Sequence, residues 1–125
     1  MSDSAWKFLF AAAGVFNFAV GLPLLLAPAQ GVAMMGVAPP SSMLFVQLSG
    51  ALIVMFGVSY LMVARDLALR PLVWLGAIGK LLAFGLLALY WQRGEVPDTP
   101  FVLGFGDLIF AMAFLWFLTS HRTAK

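Results

Sequence analysis

Two ionisable side chains, Lys80 and Asp107, interrupt otherwise apolar stretches of this chain, and three uncharged polar residues, Asn17, Gln47 and Tyr60, accompany them. A charge at the centre of a membrane-crossing helix costs roughly 2.5–3.5 kcal/mol on insertion scales. Such groups therefore turn toward a protein interior, where they pair, hold a ligand head group or carry a proton. At helical spacing Asn17 shares a face with Phe10, Gly14 and Gly21, and Gln47 with Gly50, Val54 and Gly57. Lys80 lines up with Gly76 and Ala83, and Asp107 with Gly104 and Ala111. Small residues let membrane helices approach, and polar ones hydrogen-bond across the contact. The four stripes are expected to face one interior. Asn17, Gln47, Tyr60, Lys80 and Asp107 would form its polar network or ligand-binding set, leaving Phe16, Phe18, Phe110 and Phe117 to meet lipid or pack between helices.

Pairing of Lys80 with Asp107 stays open at this level. At about 1.5 Å per residue, Asp107 lies roughly 9 Å and Lys80 roughly 18 Å from the same membrane face. A lysine stem spans much of that difference, but side chains on antiparallel helices lean in opposite directions. Three readings remain: a register-fixing ion pair, a polar site for a ligand head or a proton, and a surface that meets a partner protein. Depth alone makes Lys80 the costlier residue to remove.

Other chemistries lack their parts. Gly104-Phe105-Gly106-Asp107 matches the G-x-G-D pattern of intramembrane aspartyl proteases, whose chemistry needs two carboxylates sharing a proton. No second acidic residue falls within a span. Ser49 and Ser59 have no histidine base in the membrane. The one histidine, His121, stands beside Arg122 in the C-terminal tail, and there is no cysteine, so haem, zinc and dithiol sites are not expected. Seven scattered methionines read as apolar filler, with no histidine beside them to make a copper site.

The elements that must position these residues follow from composition. Of 125 residues, 63% are hydrophobic and 10% charged; a soluble protein carries about 25% charged. No charge occurs in the 57 residues from Phe8 to Ala64. A soluble enzyme, a nucleic-acid-binding domain and a disordered tail are excluded, and what remains is an all-α, four-transmembrane-helix up-down bundle, one domain over residues 1–125. The spans are expected at about 6–27, 42–64, 71–92 and 101–120. Residues 28–41 read as a connection. Pro71 opens the third helix, and Pro97 and Pro100 precede the fourth. The first apolar stretch exceeds the roughly 7–15 residues of a signal-peptide core and reads as a retained span. Lys7, Arg65, Arg70, Arg122 and Lys125 fall on one side, and Arg93 with Glu95 and Asp98 on the other. The positive-inside bias then makes both termini cytoplasmic. Trp6, Trp74 and Trp116 are expected in the aromatic belt of that side, Tyr90 and Trp91 in the opposite one.

The layout resembles the DoxX-like group of small bacterial membrane proteins. The matching parts are Gly21-Leu22-Pro23…Pro28, the second helix reading Gln47-Leu48-Ser49-Gly50-Ala51-Leu52…Phe56-Gly57, and the Arg65-Asp66 turn. The likeness covers the first half of the chain and, beyond it, only the number of spans; members often carry a glutamate where Gln47 stands. It implies a bacterial inner-membrane four-helix protein, and some members are subunits of quinone-linked sulfur oxidation. The leading expectation is a non-enzymatic or accessory bundle whose central polar pocket binds a hydrophobic molecule with a polar head, a quinone or lipid. The alternatives are an oligomeric transporter or channel subunit and an assembly or interaction protein. Expected partners are membrane lipids, a quinone or other hydrophobic ligand, further copies of the chain or a larger membrane complex, and no nucleic acid.

Overall fold

Hydrocarbon offers no partner to an open backbone N–H or C=O, so the apolar stretches close their hydrogen bonds within helices. The computed structural model describes residues 1–121. Among these it contains α1 (Asp3–Leu26), α2 (Pro28–Met34), α3 (Leu44–Arg65), α4 (Arg70–Gln92) and α5 (Asp98–Ser120), and no strand. Helices α1, α3, α4 and α5 are long and apolar enough to cross a membrane. The chain is an all-α, multi-pass membrane protein. Arg122 and Lys125, which contributed to the expected orientation, lie outside the described residues.

Element ends follow local chemistry. Ser2 caps α1, its Oγ accepting from the Ala5 N–H at 3.2 Å. Gly36 and Gly94 take φ of +72° and +73° just past α2 and α4. There the N–H of Val37 bonds Val32 C=O and that of Glu95 bonds Tyr90 C=O, closing the orphan carbonyls in a Schellman arrangement. The expected connection 28–41 thus contains a seven-residue helix: Pro28 supplies a pre-set first turn and Gly36 the stop. A second correction concerns Pro100, which lies inside the first turn of α5 and not before it. An N–H missing there has no intrahelical acceptor to lose.

The spanning helices form two tight antiparallel pairs, α1 with α3 and α4 with α5, joined by sparser α3–α4 contact. In the first pair Gly14 meets Gly57 and Gly21 meets Gly50. A Cβ on Gly50 would fall 2.6 Å from the Leu25 backbone nitrogen, so only glycine permits this approach. Between α1 and α5 the backbones stand further apart and aromatic rings fill the gap. At the end carrying the termini Phe10 stacks on Phe114 at 5.0 Å, and Trp6 meets Phe117 edge-on at 5.1 Å. Tyr60 from α3 meets Phe114 at 5.1 Å. Trp6 is therefore a core residue, 1% exposed, and not part of an interfacial belt; Phe117 is likewise wholly buried. Arg70 ties this end together by donating to the carbonyls of Leu118 and His121 at 2.6 and 2.9 Å, capping α5. The His121 ring lies 3.0 Å from Asp3.

Candidate functional site

Beyond Tyr60 the bundle stops being solid. A cavity of about 580 Å³ runs from the middle of the spans to the end away from the termini. Its walls are apolar, among them Val20, Leu24, Ile53, Ala83 and Leu103, and the sulfur-bearing side chain of Met35, just past α2, lies at its far end. Gly36, next in the chain, stands close to Pro97 at the start of α5, where an added Cβ would lie 3.6 Å from the proline ring. Ser49, Leu52 and Leu86 line the cavity and are also exposed on the outer surface. These exposed lining residues stand on α3 and α4, whose mutual contact is sparse, so the cavity is not sealed between the two helices.

The floor is polar. Lys80 Nζ donates to Asp107 Oδ1 at 2.8 Å and to Asn17 Oδ1 at 3.0 Å. Asn17 Nδ2 donates in turn to the Ile53 carbonyl at 3.0 Å, fixing the amide so that its oxygen faces the ammonium. The rings of Phe16, Tyr60 and Phe110 surround Nζ at 5.1, 5.3 and 5.4 Å from their centroids, within cation–π range. Four helices contribute: α1 through Asn17 and Phe16, α3 through Tyr60, α4 through Lys80, and α5 through Asp107 and Phe110. Gly76 makes the arrangement possible one turn before Lys80, because a Cβ there would stand 2.6 Å from the Tyr60 ring.

Opposed lean does not keep Lys80 from Asp107; the flexible four-carbon stem closes the distance. Of the five polar residues singled out in the sequence, Asn17, Tyr60, Lys80 and Asp107 meet at the floor. Gln47 does not. It is exposed, and its Nε2 donates to the Leu25 carbonyl at 3.0 Å. That carbonyl is an orphan of the α1 C-terminus, where Pro28 interrupts the chain, so Gln47 is a cap. Of the rings expected to meet lipid or pack between helices, Phe16 and Phe110 do the second, 5.5 Å apart across α1 and α5, and together they form part of the cage around Lys80, which the sequence did not indicate. Phe110 stands three residues after Asp107 on the same face, and Phe16 adjoins Asn17, a spacing that marks them as neighbours of the charges.

Comparison of the chain with protein-family models, curated proteins and solved structures finds no match. Function rests on the geometry. The two formal charges at the floor neutralise each other, so the cavity is a neutral, lipid-accessible space with a polar end. It can orient an amphiphile. Among the described residues no cluster of histidine, cysteine, aspartate and glutamate is placed to hold a metal ion.

Proposed function

We propose that the chain is a small bundle of the bacterial inner membrane, of DoxX-like type, that binds a lipid-soluble molecule by its polar head. One observation carries this reading: the charged pair within the spans forms the floor of a cavity open sideways to the bilayer. An isolated register-fixing pair needs no adjacent void, and helices gain packing energy by closing one. Ligand sites usually combine mostly apolar walls with a few convergent polar groups, in about 300–1,000 Å³. The opening between α3 and α4 suits a molecule already dissolved in lipid, and tails too long for the cavity can extend through it. Lys7, Arg65 and Arg70 share one end of the bundle, which supports cytoplasmic termini by the positive-inside rule. The cavity then belongs to the outer leaflet.

Native mass spectrometry from mild detergent tests the reading. The wild-type chain should retain one small-molecule adduct per copy, and Ala83→Phe, which fills the cavity, should lose it while remaining folded. Wild-type protein that carries no stoichiometric adduct, or an adduct indifferent to Ala83→Phe, overturns it. A reporter fused after Lys125 checks orientation and should be active only in the cytoplasm.

A further inference from the structure

The polar floor presents its two charges unequally. The Lys80 side chain is 4% exposed and that of Asp107 is 22% exposed. Lysine carries three N–H donors. Two are used on Asp107 and Asn17, and three aromatic rings enclose the ammonium. The third N–H has no oxygen or nitrogen acceptor among the described residues and is left to the surrounding rings, so the cation is screened from the cavity. Asp107 uses one carboxylate oxygen on Lys80; its other oxygen has no hydrogen-bond partner among the described residues. Tyr60 lines the same cavity, is 1% exposed as a whole, and its hydroxyl also has no partner among the described residues. Both residues line the cavity beside Lys80 Nζ, the Asp107 carboxylate at 2.8 Å and the centre of the Tyr60 ring at 5.3 Å.

We infer that the bound molecule carries a neutral hydroxyl head, a lipid alcohol in the broad sense, which donates to the free oxygen of Asp107 and accepts from the Tyr60 hydroxyl. This rests on the cavity being a ligand site and specifies what that site selects. A phosphate or carboxylate head would meet the carboxylate and not the sequestered ammonium, with unfavourable charge and no donor. A carbonyl- or ether-only head can accept from Tyr60 but leaves Asp107 without a donor, and an acceptor that a bound molecule shields from water without bonding it is expensive. A cationic head would add net charge to a site whose own pair is already balanced. The hydroxyl satisfies both open groups and adds no charge.

The test titrates delipidated wild-type protein with four amphiphiles of one chain length, scored by native mass spectrometry: hexadecan-1-ol, its methyl ether, hexadecanoic acid and hexadecylamine. The alcohol should bind tightest, with the ether about tenfold weaker for the lost donor and both charged chains weaker still. In Asp107→Asn the side chain gains its own donor, so the gap between alcohol and ether should shrink. Tyr60→Phe should weaken the alcohol and the ether alike, since each accepts from the same hydroxyl, and leave the gap between them unchanged. Preference for the ether, acid or amine in wild type overturns the hydroxyl assignment and leaves the binding site standing. Binding of none of the four, in protein whose circular dichroism is unchanged, overturns both.

Discussion

The two ends of this bundle are built on opposite principles. At the end carrying the termini, space between α1, α3, α4 and α5 is filled by rings: Trp6, Phe10, Tyr60, Phe114 and Phe117 are all buried. At the other end α1 and α3 press together through Gly21 and Gly50, yet a 580 Å³ cavity separates that pair from α4 and α5. The contrast turns on where large and small residues fall. Glycines draw one pair of helices into backbone contact; without rings to fill the remaining gap, the drawn-in pair leaves a hollow. Lys80, Asp107 and Asn17 stand at the boundary between the halves, where buried charge is satisfied on one side by rings and on the other opens to the cavity.

The sharpest way to break this comparison is at the boundary. Asp107→Leu strands the Lys80 ammonium in a 4% exposed position, with Asn17 as its remaining hydrogen-bond partner. Removing one member of a buried pair costs about 3–5 kcal/mol. Lys80→Leu leaves the more accessible carboxylate, which the cavity can hydrate, and places an apolar side chain among three rings. It should cost less. Depth in the sequence favours the reverse order; exposure in the folded chain decides it. Unfolding in mixed detergent–SDS micelles measures both, and a larger loss for Lys80→Leu would show that the cavity does not relieve Asp107. The double variant should lose less than the sum, as coupled neighbours do.

Truncation on either side of the boundary comes next in size. Phe114 is fully buried and meets the rings of Phe10, Tyr60 and Phe110. In soluble cores Phe→Ala costs about 3–5 kcal/mol. Here the unfolded helices stay in lipid, so mainly packing is lost and about 2–3 kcal/mol is expected. Leu52→Ala and Leu86→Ala, at the mouth of the cavity, remove side chains that already face lipid on one side. Each should fall within about 0.5 kcal/mol of wild type. Equal losses at the two ends by thermal unfolding would mean the hollow half is as firmly packed as the solid one.

Much of this was legible in the sequence. Four apolar stretches of spanning length gave the helices, because the backbone in lipid has no alternative. Asn17, Tyr60, Lys80 and Asp107 were recognisable as interior residues because lipid cannot satisfy them. What escaped depended on neighbours in space. Gln47 has the same polarity and glycine-rich face as Asn17, but its depth matches the broken end of α1, so it caps Leu25. Trp6 looks like an interfacial tryptophan until Trp116 and Phe117 are seen around it. The cage around Lys80 could not be read from hydropathy, since Phe16 and Phe110 score the same facing lipid or facing a cation. The α2 helix carried its own start and stop in Pro28 and Gly36, but seven residues give periodicity little to work with.

Single methyl groups should separate a glycine that closes the structure from one that does not. A methyl group on Gly50 collides with backbone of α1 at 2.6 Å, where no side chain can swing aside. Gly50→Ala must push α1 and α3 apart, at a cost of about 1–2 kcal/mol, near the low end of overpacking. Gly85 lies on α4 with nothing within 4 Å of an added Cβ. Gly85→Ala therefore gains helix propensity without a clash and should be neutral to about 1 kcal/mol more stable. The pair can be read in one thermal series. If Gly50→Ala is as harmless as Gly85→Ala, the backbone contact between α1 and α3 is not what holds the hollow half in shape, and the cavity must owe its shape to the α4–α5 pair instead.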